Sequence, residues 1–182
     1  GRMERFSGDA QPCLVLSLEN TAQELNSLPI REFVHRLGGT FEHSPWVAEK
    51  AAEGRPYSYL DALHAAMVQI VQQSGEKTQL QLLNAHPDLV SRTILTAESE
   101  SEQAAAGLTQ LSPQEVEKFT NYNKAYREKF GFPFIICARL NNKEAILTAF
   151  PKRLAQSRSN EIATALEEIA KIARLRLDEL IS

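Results

Sequence analysis

The apolar positions of this chain recur at three- and four-residue steps, which is the spacing of one face of an α-helix. The segment that follows Ser58 carries such a stripe at Leu60, Leu63, Met67, Ile70 and Val71. The last segment, from Asn160 to about Ile181, carries another at Ile162, Leu166, Ile169, Ala173, Leu177 and Leu180. Both segments are predicted to be amphipathic helices that pack one face against a core.

Capping residues mark further helix ends. Ser44 precedes Pro45, a residue favoured in the first helical turn, and Ser58 with Asp61 is expected to open the helix of the first stripe. Ser112 begins a capping box that Glu115 completes, and a glycine follows the helix predicted there. The helices predicted in this way run from about Pro45 to Glu53, Lys77 to Ala85, Pro113 to Phe130 and Asn142 to Ala155.

Residues 132–138 are apolar without interruption, contain Pro133, and are too few for a helix of ordinary length. They predict a buried extended segment, whereas residues 1–20 and 90–98 are typical of loops. The fold class expected is therefore all-α, a single compact domain of about eight helices with one short buried extended segment. Residues 1–16 are expected to be a tag remnant and an uninformative segment, and residues 17–182 the helical domain.

The composition narrows the class of protein. The 182 residues have a net charge of −3, with cationic and anionic side chains interspersed, so nucleic acid is not an expected partner. No apolar run approaches the ~20 residues that span a bilayer, and neither a signal-peptide core nor a peroxisomal C-terminal tripeptide is found, so a cytoplasmic protein is expected. Cys13 and Cys137 are expected to be reduced thiols, although a single disulfide remains open.

A histidine stands at a predicted helix end, where it is a candidate for proton transfer. Pro87 removes a backbone donor, so the preceding helix should stop at or before His86. A helix C-terminus favours a protonated imidazole, and histidine transfers protons near neutral pH. The alternative is that His86 is only a polar helix end.

Two charged residues have both a structural and a functional interpretation. Glu102 would close a capping box with Ser99, or it would line a polar pocket with Ser99 and Gln103. Arg176 lies at the shoulder of the last apolar stripe. Its methylene groups would cover the core while its head reaches water, or the guanidinium would bind a buried carboxylate of the protein or of a ligand.

Two further features leave alternatives open. The stretch from Phe132 to Phe134 would be pure core, or its backbone groups would bind a flat ligand rich in amides. His35, His43 and His64 would have to be ligands in a metal-dependent hydrolase, but no HExxH or comparable pair is present, so no metal site is expected. His64 is instead expected to be hydrogen-bonded at the edge of the core.

Four motifs together resemble the OHCU decarboxylase family: HPDL from His86, SxxEQ from Ser99, FGFPFIICAR from Phe130, and LRLDEL in the last helix. The likeness runs from about Ser17 to the C-terminus. It implies an all-helical homodimer without metal or organic cofactor. It also implies that the small-molecule substrate is 2-oxo-4-hydroxy-4-carboxy-5-ureidoimidazoline (OHCU), an intermediate of urate breakdown that is decarboxylated to (S)-allantoin and carbon dioxide.

The same resemblance implies roles for individual residues. His86 corresponds to the catalytic histidine, Glu102 to the active-site glutamate and Arg176 to the substrate-binding arginine. The remaining site residues contact substrate or orient the histidine, and they are Pro87, Ser99, Gln103, Phe132, Pro133, Phe134, Ile135 and Ile136. The competing hypothesis is a helical module without enzymatic activity, which presents its long C-terminal helix to a protein partner.

Overall fold

Eight α-helices and one turn of 3-10 helix account for most of residues 23–91 and 95–181, which are the residues that the computed structural model describes. The helices are α1 (Ile30–Leu37), α2 (Trp46–Glu53), α3 (Leu60–Gln72), α4 (Glu76–Ala85), α5 (Ala97–Ala105), α6 (Pro113–Phe130), α7 (Lys143–Leu154) and α8 (Arg158–Ile181), with the 3-10 turn (Ala138–Leu140) before α7. Residues 23–27 are also helical, and no strand occurs in the described ranges. The predicted all-α fold class is confirmed.

Capping chemistry explains the helix ends that were predicted best. The capping box of Ser112 and Glu115 is formed at the start of α6, and Gly131 ends that helix with a left-handed φ of 82°. Asn142 caps α7 by accepting a hydrogen bond from the Ala145 amide. Each of these caps involves residues that are close together in the chain, so it can be predicted from the sequence.

Two expected caps are not formed. The Ser44 hydroxyl donates to the carbonyl oxygen of Glu42 and does not cap α2. Helix α3 begins only at Leu60, and its N-cap residue Tyr59 makes no side-chain cap bond, so Ser58 is not the cap either. Proline at residue 45 and the extended backbone at residue 59 start these helices without help from a hydroxyl.

The buried face of α8 differs from the predicted apolar stripe. Ile169, Ala173 and Leu177 are buried as expected, but Leu180 is 46% exposed. Three charged residues lie on the buried face as well, namely Glu161, Glu168 and Arg176. The correction has a physical reason, because each of these side chains is paired inside the protein and a paired charge can be buried.

The segment of residues 132–138 is buried throughout and residues 133–137 have no regular secondary structure, as predicted. It runs from the end of α6 to the 3-10 turn, against an aromatic cluster. Phe134 stacks on Phe150 of α7 with ring centroids 3.8 Å apart, and Phe132 packs edge-on against Tyr126. These contacts hold the segment as a fixed inner wall.

Some expectations lie outside the described residues or change slightly. The predicted loop of residues 1–20 and Cys13 lie outside them, while Cys137 is a buried free thiol. Of the predicted loop of residues 90–98, residues 92–94 lie outside the described ranges, and Ala97 and Glu98 belong to α5. No helix in the described ranges is long and apolar enough to cross a membrane.

Candidate active site

Most of the candidate residues surround a single cleft. Its wall includes nine of them, which are His86, Pro87, Ser99, Glu102, Gln103, Phe134, Ile135, Ile136 and Arg176. Leu89, Ala138 and Ile172 complete the lining. Phe132 and Pro133 are buried but do not line the cleft, since Phe132 packs against the aromatic rings of α6.

Four elements supply the walls. His86 directly follows the last residue of α4, and Ser99, Glu102 and Gln103 lie at three- and four-residue steps on one face of α5. The extended segment supplies the apolar wall, and α8 contributes Arg176. The three lining residues that the sequence analysis missed lie close to candidates: Leu89 ends HPDL, Ala138 lies in FGFPFIICAR, and Ile172 is one turn before Arg176.

His86 is 7% exposed and is held by the last turn of α4. Its Nδ1 lies 3.0 Å from the carbonyl oxygen of Leu82. A carbonyl only accepts, so Nδ1 carries the proton and Nε2 of the neutral ring is an unprotonated base. Burial lowers the pKa of His86 to about 4, although the Leu82 hydrogen bond and the charge of Glu42 raise it.

This result corrects the expected protonation of His86. The dipole at the end of α4 does favour a charged ring, but the loss of solvent around a buried imidazole has the larger effect and disfavours it. The residue is therefore placed at a helix end as predicted, and its ring is neutral at neutral pH.

Arg176 is buried between two carboxylates. Its Nε and Nη2 donate to Oε1 of Glu102 at 2.9 and 2.6 Å, and Nη2 also donates to Oε2 of Glu42 at 2.8 Å. Nη1 donates to the carbonyl oxygen of Gly39 at 3.0 Å. Of the two interpretations of Arg176, the structure therefore shows the buried carboxylate partner, supplied by the protein.

Glu42 is a further residue that the sequence analysis missed, and it acts on the site from outside the lining of the cleft. It lies in the turn after α1, is 1% exposed, and accepts hydrogen bonds from Thr96 Oγ1 at 2.7 Å and Ser99 Oγ at 2.8 Å. The only signal in the sequence is its position two residues before Ser44, where a helix start was predicted. A loop residue has no periodicity to reveal it, and its partner Arg176 is 134 residues away.

The capping interpretation of Glu102 is wrong. Helix α5 begins at Ala97, and its cap is Thr96, whose side chain accepts from the Ser99 amide at 3.2 Å. Glu102 therefore lies in the second turn of α5, beyond the reach of a capping box. Its carboxylate is paired with Arg176 instead.

The two glutamates that share Arg176 differ in pKa. Burial raises the pKa of Glu102, the negative charge of Glu42 raises it as well, and together these effects exceed the opposing effects of Arg176 and Arg139. Burial also acts to raise the pKa of Glu42, but the hydrogen bonds from Thr96, Arg176 and Ser99 hold it below the ordinary value. Glu42 is thus the more firmly ionised carboxylate, and Glu102 takes up a proton more readily.

Side chains fasten the backbone of the extended segment. Nη1 of Arg153 donates to the carbonyl oxygen of Ile135, and the Cys137 amide donates to Oε1 of Glu168 at 3.4 Å. The carbonyl group of Ile135, a residue expected to contact substrate, is therefore used within the protein, and so is the Cys137 amide. The segment contributes shape and apolar surface to the cleft.

The other histidines do not form a site. His64 is half-buried with Nε2 2.8 Å from the carbonyl oxygen of Ala170, as expected at the edge of the core. His35 and His43 are exposed. Within the described residues, no group of three histidine, cysteine, aspartate or glutamate side chains is arranged to hold a metal ion.

The chain is similar to known proteins along most of its length. The family model described as OHCU decarboxylase matches residues 26–178. A 2-oxo-4-hydroxy-4-carboxy-5-ureidoimidazoline decarboxylase of Haloferax volcanii is 47% identical over 164 residues, which are 90% of this chain and 98% of that protein.

Two solved structures have the same fold. A structure of (S)-allantoin synthase superposes with a TM-score of 0.72 at 34% identity over 87% of this chain, which spans 53% of that longer chain. A structure of OHCU decarboxylase in the presence of (S)-allantoin superposes with a TM-score of 0.63 at 25% identity over 82% of this chain and 96% of that one.

Proposed function

This chain belongs to the OHCU decarboxylase family, and from that premise we propose that its cleft converts OHCU to (S)-allantoin and carbon dioxide in urate degradation. The observation that carries the proposal is the convergence of His86, Glu102 and Arg176 on one cleft from three different helices. They supply a neutral base, a carboxyl group with a raised pKa, and a buried positive charge.

The substrate supplies its own electron sink. Its carboxyl-bearing carbon adjoins a C=N carbon, so the electron pair of the broken C–C bond forms a new C=C bond and the C=N pair moves onto nitrogen, which takes up a proton. The enol-like product then loses its hydroxyl proton and gains a proton at the ureido-bearing carbon. Protein groups need only orient the ring and move protons to one face of it.

His86 is the proposed base for the hydroxyl proton. Its Nε2 is unprotonated because Nδ1 is committed to Leu82, and the ring remains neutral above a pH of about 4. A well-placed acid or base contributes typically ~100- to 10,000-fold in rate, or about 3 to 5 kcal/mol of barrier. Pro87 follows directly and keeps the backbone of His86 extended, which orients the ring.

Glu102 is the proposed proton donor and Arg176 the proposed anchor. A carboxylate anion has no proton to donate. The raised pKa keeps Glu102 protonated to a higher pH, so it can donate a proton to carbon. The guanidinium holds Glu102 in place and provides positive potential for the substrate carboxylate. Oε1 of Gln103 accepts from the Val90 amide at 3.2 Å, so we propose that its amide group acts toward substrate as a donor.

The remaining parts of the proposal rest on the family and, for the cellular location, on the sequence. We propose that the helical domain begins near residue 17, that the active species is a homodimer, and that it works in the cytoplasm. Light scattering after gel filtration tests the homodimer, since a monomeric mass would exclude it.

Circular dichroism of freshly generated OHCU, with and without the protein, tests the activity. We expect the protein to produce optically active (S)-allantoin faster than the spontaneous reaction, because only a stereoselective catalyst delivers the proton to one face. A helical module without enzymatic activity would leave the rate and the racemic product unchanged, and this outcome would refute the proposal.

The variant His86→Asn tests the role of the imidazole in the same assay. Asparagine retains a donor for the Leu82 carbonyl but has no basic nitrogen, so turnover should fall at least ~100-fold with the melting temperature nearly unchanged. His35→Asn, at an exposed position outside the cleft, is the matched control and should keep full activity. Near wild-type turnover in folded His86→Asn would remove His86 from the mechanism.

A further inference from the structure

The charges around Arg176 do not balance. One guanidinium is hydrogen-bonded to two carboxylates, Glu42 and Glu102, and all three groups are buried. Glu102 lines the cleft, whereas Glu42 borders a neighbouring cavity that also touches His86 and Pro87. If both carboxylates were ionised, this cluster would carry a net charge of −1 before a carboxylate substrate arrived.

We propose that Glu42 is a positioning residue of the proposed reaction. It holds Arg176 against Glu102 and neutralises the guanidinium charge, so that Glu102 keeps a proton for the substrate. This inference rests on the proposed function for the use of that proton. The arrangement itself is a property of the folded protein, and it can be measured without substrate.

The hydrogen bonds favour Glu42 as the ionised partner. Both of its carboxylate oxygens accept short bonds, from Thr96 to one oxygen and from Ser99 and Arg176 to the other. Glu102 accepts only from Arg176, and only at Oε1, within the described part of the chain. An anion is stabilised by the number of donors it faces, so the proton should reside on Glu102. The opposite pKa shifts of the two groups agree with this assignment.

Other ionisable groups also lie around Glu102. Helix α8 presents Arg176, the end of α4 presents neutral His86, and the segment around the 3-10 turn presents Arg139 and the Cys137 thiol. Arg139 acts on Glu102 less than Arg176 does and is paired with Glu179 at 2.6 Å. Glu42 is therefore the group best placed to withdraw the positive charge from Glu102.

Titration of Glu102 by NMR of protein labelled with ¹³C at the glutamate carboxyl groups tests the proposal, with Glu102→Gln to assign the signal. In Glu42→Gln, the guanidinium has Glu102 as its only anionic partner, so the midpoint of Glu102 should fall by about one pH unit or more. Glu42→Asp, which restores the charge on a shorter side chain, should return the midpoint toward the wild-type value. An unchanged midpoint in folded Glu42→Gln would overturn the proposal.

A matched control and a measurement on the wild-type protein complete the test. Glu168→Gln removes a buried carboxylate that pairs with Lys171 and not with Arg176, so it should leave the Glu102 midpoint in place. If Glu42→Gln does not fold, the order of the two titrations in the wild-type protein decides. Glu102 must titrate at a higher pH than Glu42, and the reverse order overturns the proposal.

The activity profile separates this inference from the proposed function. If Glu102 donates the proton, the high-pH limb of kcat should move to lower pH in Glu42→Gln together with the NMR midpoint. A limb that stays in place while the midpoint moves would overturn the use of this proton in the reaction. If the wild-type protein does not decarboxylate OHCU but the Glu102 midpoint still falls in Glu42→Gln, the proposed function is refuted and the charge assignment is not.

Discussion

At the scale of single residues, the chemistry of the cleft depends on burial. His86 and Glu102 are ordinary side chains whose charged forms are made less stable by the loss of water around them. The result is a neutral imidazole beside a carboxyl group that holds a proton more tightly than usual. Both groups are thereby shifted toward the forms that the proposed proton transfers need.

The pH dependence of stability provides a test of the buried neutral His86. Its pKa is about 4 in the folded protein against 6.5 for a free imidazole, so protons bind preferentially to the unfolded chain between these values. The stability that this residue contributes is complete above pH 6.5 and is lost as the pH falls toward 4. By linkage this loss amounts to about 3 kcal/mol.

Urea denaturation of the wild-type protein and of His86→Asn between pH 7 and pH 4 measures this effect. The free energy of unfolding of the wild type should fall relative to that of the variant by about 3 kcal/mol over this interval, because asparagine does not titrate. A difference that does not change with pH would show that His86 is not buried as a neutral ring.

At the scale of secondary structure elements, short-range capping determines where several helices begin. The box at the start of α6 satisfies two backbone amides, those of Ser112 and Glu115, that would otherwise lack partners. Helix α3 begins without such a bond, although Ser58 precedes it by two residues. The two serines look alike in sequence, and the structure distinguishes them.

Alanine substitutions at these two serines give a matched comparison. Ser112→Ala should lower the free energy of unfolding by about 1 kcal/mol, because it removes the acceptor for the Glu115 amide. Ser58→Ala should have little effect, since Ser58 is exposed and caps nothing. Denaturant titration of both variants measures the difference, and equal losses would contradict the cap assignment.

At the scale of the whole molecule, helix α8 connects the walls of the cleft. Arg176 joins it to α5 and to the turn after α1, and Glu168 holds the Cys137 amide. Glu161 acts through Arg153, with which it pairs. Arg153 donates to the Ile135 carbonyl, and its guanidinium carbon lies 4.2 Å from the centre of the Phe134 ring. Helix α8 is therefore connected to three parts of the chain around the cleft, which are α5, the turn after α1 and the extended segment.

Removing the charge of Glu161 should test this long-range positioning. The Arg153–Glu161 pair is buried, and Nη2 of Arg153 and Oε2 of Glu161 have no hydrogen-bond partner among the described residues. Glu161→Gln leaves Arg153 without a counterion, so the free energy of unfolding should fall by about 3 to 5 kcal/mol. KM for OHCU should rise as well, because the wall near Ile135 is less firmly held.

The exposed pair of Glu76 and Arg158 provides the control for Glu161. Glu76→Gln removes the negative charge from an ion pair of 2.9 Å at the surface, where water screens the interaction, so stability and KM should hardly change. If Glu161→Gln were as mild as Glu76→Gln, the buried pair would not be needed to hold the wall.

The helices and the location of the cleft residues are largely predictable from the sequence. Helix α6 begins at its capping box and ends at Gly131, and His86 stands at a helix end because Pro87 follows it. The motifs that resemble the family contain eleven of the twelve residues that line the cleft, all except Ile172. These signals are local, since periodicity, capping and proline geometry act over a few residues of the chain.

Only the tertiary structure decided the charges and the pairing. It buried His86 and made it neutral where the helix end alone favours a protonated ring, and it brought Glu42 to Arg176 across 134 residues. It also placed Glu102 inside α5, away from the cap that the local pattern suggested. Burial and long-range ion pairs depend on which distant segments pack together, and no local pattern in the sequence contains that information.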